Sequence, residues 1–373
     1  SIVIQLIDSI LTVSAFLLLI IQLVFQMVIR KGLKKLPIDR ARAGDSSIPI
    51  SVIIAAKNEA ANLQKNLGFI QNQNYQDFEI VLVNDNSSDE THSVMTDFAA
   101  RDERIRVLSL DDSLSGKKEA LKAGIDAANY ERLVFTDADC QVEAEWLSGF
   151  ADAFDRGGDF VIGYGAYRLN DSWFSSMYSF DAFRSAMLYF SAAANGLPYM
   201  CVGRSMGYTR SLFQNSEGFA SYAHIESGSD DLFLQSVKDS AHIEMIPAAV
   251  SYSEPPTSFG RWLIQRKRHL GAGIHYPKSV LALLIIYEGS NILLPIILVL
   301  LLMSENQFLS LFSIAIILRV TLFYLNTETF SRLVKSNDDL SQLWWTEYPM
   351  SWLNALISMN IGLKKKEAWT TRR

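Results

Sequence analysis

Long apolar runs mark both ends of this chain, and a different pattern fills the middle. Ile2 to Ile29 is almost wholly apolar, with Asp8 its sole charge, and is long enough to cross about 30 Å of hydrocarbon with some tilt. Arg30, Lys31, Lys34, Lys35, Arg40 and Arg42 follow at once, so the positive-inside rule puts that flank in the cytoplasm. The apolar core is too long for a secretory signal peptide, and no small-residue cleavage site follows it. Val280 to Met303 is apolar apart from Glu288 and a few small or polar residues, and Phe308 to Leu325 is apolar but for Arg319. The polar link Ser304-Glu305-Asn306 makes these two runs a helical hairpin. Leu340 to Leu363 contains Trp344, Trp345, Trp352, Glu347 and Pro349, a mixed polarity that predicts a helix lying in the interface. Its flanks, Arg332 and Lys335 before and Lys364 to Lys366 after, both favour the cytoplasmic side, so three spanning helices are expected.

In the middle, short apolar runs alternate with amphipathic ones. Ile50 to Ala56 reads as a strand buried on both faces, followed by Lys57-Asn58-Glu59 and a helix from Ala60 to Gln71. Phe78 to Val83 is a second strand, and it empties into a segment, Asn84 to Thr91, dense in turn and capping residues that opens a helix to Ala100. Ile105 to Ser109 is a third strand, Gly116 to Leu121 begins a third helix, and Arg132 to Thr136 is a strand closed by Asp137-Ala138-Asp139. Repeated strand-helix order predicts a mostly parallel sheet with right-handed crossovers, an α/β domain. Asn58, Asp85, Lys117, Asp137 and Asp139 then share the carboxyl edge, where open α/β sheets bind ligands. Paired carboxylates there suit a hard divalent cation that takes its other ligands from a phosphate.

Further along, Phe160 to Tyr167 reads as a strand. Trp173 to Ala194 reads as a helix whose aromatics, among them Phe174, Tyr178, Phe180, Phe183, Tyr189 and Phe190, are expected in the core. The boundaries that follow are a first span over 1–30, a basic linker over 31–49, an α/β domain over 50–275, two spans over 279–326, an interfacial helix over 340–363 and a basic tail over 364–373. The net charge of −6 argues against a nucleic-acid partner. Cys140 and Cys201 fall in the predicted cytoplasmic domain, where thiols stay reduced, and the 5 histidines have no ligand spacing.

Ser51 to Glu59, Val83 to Asp89, Gly116 to Leu121, Thr136 to Asp139, Ser227 to Phe233 and Gln265 to His269 stand in an order and rough spacing that resemble the nucleotide-sugar glycosyltransferases of family 2. Those enzymes have the GT-A fold, and many, like the bacterial polysaccharide and glycolipid synthases, are membrane-embedded. The resemblance implies that Ala55, Asn58 and Glu59, with Asn84 and Asp85, cradle the nucleotide base and ribose. Asp85 is the expected base-edge acceptor, while Asn84 stands where an aspartate is frequent. Asp137 and Asp139 resemble the site for magnesium or manganese and the diphosphate, with Lys117 beside it. Gln265 and Arg268 resemble diphosphate-binding residues, and His269 stands in place of the tryptophan of processive synthases. Arg261, Arg266 and Lys267 complete that basic cluster. Asp230 is assigned as the general base with Asp231 as the alternative, since Ser229 occupies a position where an acid is usual. Arg204, in a loop that underlies the acceptor in relatives, is placed to meet an anionic substrate.

The expectation is a metal-dependent, inverting hexosyl- or N-acetylhexosaminyl-transferase of the inner (plasma) membrane. Its catalytic domain is cytoplasmic, and it moves sugar from a nucleotide-diphosphate donor to a lipid-linked or growing glycan acceptor. A processive polysaccharide synthase and a catalytically weakened nucleotide-sugar-binding subunit of a larger assembly stand as alternatives.

Overall fold

A computed structural model describes residues 2–37, 47–169, 173–225, 228–304, 306–335 and 340–361. Arg40, Arg42, Ser227, Glu305 and the tail from Lys364 lie outside the described residues.

The first half alternates as its pattern predicts: α1 (Ile2–Leu33), β1 (Ile50–Ala56), α2 (Ala60–Gln71), β2 (Phe78–Asn84), α3 (Thr91–Ala99), β3 (Ile105–Ser109), α4 (Lys117–Ala127) and β4 (Arg132–Phe135). β1 lies between β2 and β4, and β3 lies outside β2, all in parallel. The apolar strands are closed over by helices on both faces, as continuous burial of β1 and β2 requires. α4 lies so close to the sheet that a Cβ at Gly124 would come within 2.6 Å of Ile53 Cγ2.

The alternation stops at the aspartate pair. β5 (Cys140–Val142) follows β4 through a tight turn, and then come α5 (Trp146–Asp155), β6 (Phe160–Tyr167), α6 (Trp173–Ala194), β7 (Met206–Thr209), α7 (Arg210–Asn215), α8 (Asp231–Val237) and β8 (Ile243–Ser253). The sheet runs β3-β2-β1-β4-β7-β6-β8-β5, with β7 antiparallel to β4 and β6, and β5 antiparallel to β8. The fold is a mixed, mostly parallel GT-A sheet. Tyr178, Phe180, Phe183, Tyr189 and Phe190 of α6 are buried, while Phe174 is exposed.

α9 (Phe259–Gly273), α10 (Lys278–Met303), α11 (Leu309–Val334) and α12 (Glu347–Ile361) complete the chain. α1, α10 and α11 are the 3 helices long and apolar enough to cross a membrane among the described residues. α11 runs nine residues past the expected end at Leu325, because its last turns enter the domain core. There Phe330 packs on Tyr164, Phe183 and Phe190. α1 docks at its C-terminal end in the same core: a Cβ at Gly32 would sit 2.2 Å from Ser191 O, and Asn195 Nδ2 donates to Val28 O at 2.9 Å. At the opposite end, Asp8 accepts from Ser304 Oγ at 2.7 Å and Asn306 Nδ2 at 2.9 Å. The start of α1 and the α10–α11 link therefore share one end of the bundle.

A buried polar layer separates the deep bundle cluster of Ala15, Leu19, Leu294, Leu301 and Phe312 from the domain core. Arg319 Nη2 meets Glu347 Oε2 at 2.6 Å and donates to Gln22 at 2.8 Å and to Asn291 at 3.0 Å. Tyr287 donates to the same Glu347 at 2.7 Å. The charge of Arg319 in its apolar run is thus paired rather than exposed, as a charge buried in an apolar bundle requires. Glu288 likewise pairs with Arg184 of α6 at 2.9 Å.

The segment expected as one amphipathic helix over 340–363 divides into a 3-10 stretch, Leu340–Thr346, and α12, with Pro349 in the first turn where its missing N–H needs no partner. Its polarity is turned inward. Glu347, Ser351 and Asn354 are buried against protein, whereas Trp345, Trp352, Leu356 and Met359 face outward.

Candidate active site

The loops after β1 and β2 are stitched together by their own polar side chains. Asn58 adopts a left-handed φ of 56°, which asparagine tolerates. Its amide oxygen accepts from Ser88 N at 2.8 Å, and its N–H donates to Ser87 Oγ at 3.0 Å. Asn84 accepts from Ser87 N at 3.2 Å. Glu59 N donates to Thr91 Oγ1 at 2.8 Å, and Ala55 is buried in β1 beside this junction. Asp85, only 1% exposed, receives the N–H of Gly116 at 3.0 Å and faces Lys57 Nζ at 3.6 Å. Gly116 can turn the chain into α4 because its φ is 110°, where a side chain would be strained.

α4 then delivers Lys117 to the aspartate pair: Lys117 Nζ lies 2.6 Å from Asp137 Oδ1. Cys140 N closes the turn onto Asp137 O at 3.1 Å, and burial pushes the Cys140 thiol up, which suits a packing role. Asp139 faces a cleft of about 150 Å³ that also takes Asn62, Asn66, Gln141, Arg168 and Ser253 into its wall. No group of three or more histidine, cysteine, aspartate or glutamate side chains placed to hold a metal ion occurs among the described residues. A two-carboxylate, all-oxygen set of this kind fits magnesium or manganese, which take remaining ligands from water and phosphate, and it does not fit a protein-only cage.

Arg204 is not placed for an anionic substrate. Its terminal nitrogens donate to Gly165 O at 2.6 Å and to Ser253 Oγ at 2.8 Å, and its guanidinium lies 4.6 Å over the Tyr167 ring.

The second acidic group sits where α8 begins. Asp230 precedes the helix and accepts the Gly203 N–H at 2.9 Å; Asp231 opens it and is buried, as is Ser229. Burial first, and the neighbouring Asp230 charge second, push the Asp231 carboxyl well above the usual range, against the hydroxyl of Tyr276, which donates to it. Lys118, next to the lysine that meets Asp137, donates to Tyr222 O at 2.8 Å and to Ile225 O, and lies 5.0 Å over the Tyr222 ring. Burial pulls its amine down to about 8, opposed by the charge of Asp230.

Gln265, Arg268 and His269 lie on α9, the helix that leads to Tyr276, with His269 exposed. Arg266 of the same cluster pairs with Asp181 of α6 at 3.1 Å and donates to Asn354 of α12 at 2.8 Å, so it joins three helices. Tyr276 and Lys118 had no expected role. Lys118 hides in a Gly-Lys-Lys run, and Tyr276, in His-Tyr-Pro before an apolar run, offers no pattern at all.

Residues 51–216 match the profile of glycosyl transferase family 2. That stretch resembles a family 2 glycosyltransferase domain. The chain is similar to Glycosyltransferase AglE of Haloferax volcanii, 32% identical over 122 residues that cover 32% of this chain and 40% of that protein. It is also similar to the GalNAc(5)-diNAcBac-PP-undecaprenol beta-1,3-glucosyltransferase of Campylobacter jejuni, 32% identical over 114 residues covering 31% and 37%. The match thus spans about two fifths of these relatives. In fold, the chain resembles the mannosyltransferase PcManGT of Pyrobaculum calidifontis, solved with GDP-Man and Mn2+. The TM-score is 0.57 at 19% identity, over 95% of this chain and 99% of that one.

Proposed function

We propose that the protein is a membrane-anchored, inverting glycosyltransferase. It moves a sugar from a nucleotide-diphosphate donor to a lipid-linked or growing glycan acceptor at the cytoplasmic face of a cell's inner membrane. The observation that carries this reading is at the start of α4, where consecutive lysines serve two acidic groups: Lys117 pairs with Asp137, and Lys118 holds the loop that leads to Asp230. A donor diphosphate and an acceptor hydroxyl need that proximity, since a transfer with inversion is a single in-line displacement.

On this reading Ala55, Asn58, Glu59, Asn84 and Asp85 hold base and ribose, and Lys117, Gln265, Arg268 and His269 face the diphosphate. Asp137 and Asp139 would hold a magnesium or manganese ion brought with the donor, whose charge offsets that of the leaving group. Asp230 takes the acceptor's proton as its oxygen attacks the anomeric carbon, with Asp231 the alternative. The similar proteins support the substrate classes: one is a glucosyltransferase of an undecaprenyl-diphosphate glycan, another was solved with GDP-Man and Mn2+. α1, α10 and α11 cross the bilayer, and the 3-10 stretch with α12 lies along the cytoplasmic leaflet, with Trp345 and Trp352 facing outward at headgroup depth.

The test is a panel of nucleotide sugars offered to the purified protein in detergent, with glycolipid acceptors, scored by nucleoside diphosphate release with magnesium or manganese and with chelator. Metal-dependent release from one donor supports the reading. Donor binding without release or transfer points instead to a weakened nucleotide-sugar-binding subunit.

A further inference from the structure

The two aspartates at the start of α8 are each restrained by a different segment, Asp230 by the loop at Gly203 and Asp231 by the root of a membrane helix. Asp230 is held by a backbone donor, Gly203 N–H, at 2.9 Å. Asp231 is held by the phenol of Tyr276, whose hydroxyl donates to Oδ2. Tyr276 belongs to the short connection between α9 and α10, one residue before Pro277, which caps the membrane helix. Its ring is buried and stands edge-on to Tyr199, 6.0 Å between centroids and 67° between planes.

We infer that Tyr276 is a positioning residue of the acid pair, fixing Asp231, and with it the start of α8 that carries Asp230, from the root of α10. The inference rests on the function proposed above. Two adjacent carboxyl groups at a buried site do not readily ionise together, so the pair favours holding one proton between them. An O–H donor seated on Asp231 Oδ2 keeps that proton off this oxygen. Asp230 is set by the Gly203 N–H, with Lys118 close by, so a shift of the Asp231 end of α8 moves the proposed base. The other groups that bear on the pair are Tyr199 on the Asp231 side, Tyr222 on the Asp230 side and Cys201 beside both. None of these matches the hydroxyl of Tyr276, a direct donor to the carboxyl group.

A purely structural hydrogen bond would affect stability and leave the proton-transfer step alone, so the test reads that step. Tyr276→Phe keeps the ring and removes the donor. In the full chain in detergent, kcat for transfer should fall on the order of tenfold, with the KM for donor nearly unchanged. The acid limb of kcat/KM should move to higher pH, because a donor that favours the ionised pair is gone. The same substitution placed on Asp231→Asn should cost much less than it does alone, since both act through one contact. 3-Fluorotyrosine at 276, a stronger donor of the same shape, should move the limb to lower pH and does not depend on the phenylalanine variant folding. A Tyr276→Phe enzyme with wild-type kcat and an unmoved pH profile, or losses that multiply in the double variant, overturns the inference. Asp230→Asn separates the two levels. If it is inactive while Tyr276→Phe is silent, only the positioning role falls; if it transfers normally, the base assignment falls with it.

Discussion

Lys117 Nζ sits 2.6 Å from Asp137 Oδ1, and the next residue along α4, Lys118, ties down the loop approaching Asp230. On the proposed function, one helical turn would therefore set the spacing between the donor's diphosphate and the acceptor's base. Asp139, two residues on, faces the open cleft and is the carboxylate better placed to touch a metal ion. Asp139→Asn should abolish transfer and weaken metal-dependent donor binding, with an unchanged circular dichroism spectrum. A fully active variant, or one indifferent to chelator, would refute that placement.

Asp230→Asn should lower turnover on the order of 10²–10⁴ while donor affinity, measured by calorimetry, stays nearly constant. If Asp231→Asn gives that pattern and Asp230→Asn does not, the base is Asp231.

Asp231 also makes a prediction about stability. Its folded carboxyl is raised above the ordinary aspartate value of 3.8, so it supports the fold fully below that pH, and this support is lost progressively as pH rises toward the folded value. Asp231→Asn carries no such penalty. Its melting temperature should exceed that of the wild type at pH 8, and the gap should close as the pH falls to about 4. A gap independent of pH would contradict the buried-acid assignment.

The Arg319–Glu347 pair is enclosed on all sides, so removing one partner strands a charge. Arg319→Met or Glu347→Gln alone should cost about 3–5 kcal/mol, while Arg319→Met with Glu347→Leu should recover most of it. Thermal unfolding in detergent reads both, and equal losses in the single and double variants would show that the pair is not the source.

For topology, single cysteines report each side in intact cells. Cys140 and Cys201 are buried, which keeps background labelling low. Gln307→Cys, in the exposed α10–α11 link, should react with an impermeant reagent, and Lys335→Cys, after α11, should not. The reverse pattern would invert the protein.

Legibility in the sequence followed the range of the interactions. β1, α2, β3 and α6 end where the pattern puts them, because local periodicity and capping decide those limits. α11 overran its expected end because Phe330 is claimed by Tyr164 and Phe183, partners far away in the chain. The reversal of β7 and β5 has no local signature for the same reason. Asp137, Asp139, Asp230 and Asp231 stood out through motif order. Arg204 misled, since its proximity to the acceptor loop says nothing of the carbonyl it actually binds. Tyr276 could not be picked out, as its role exists only where a helix root meets α8. Inward polarity of α12 was hidden too, because Glu347 acquires its partner from α11.

Gly32 lets α1 rest directly on the backbone of α6, and Phe330 of α11 is wedged into the catalytic core. Anchor and enzyme therefore move as one body. A domain so mounted has a set height above the bilayer, and it acts as a ruler. On the function proposed above, it would select acceptors by how far their hydroxyl stands from the headgroups before it reads their chemistry.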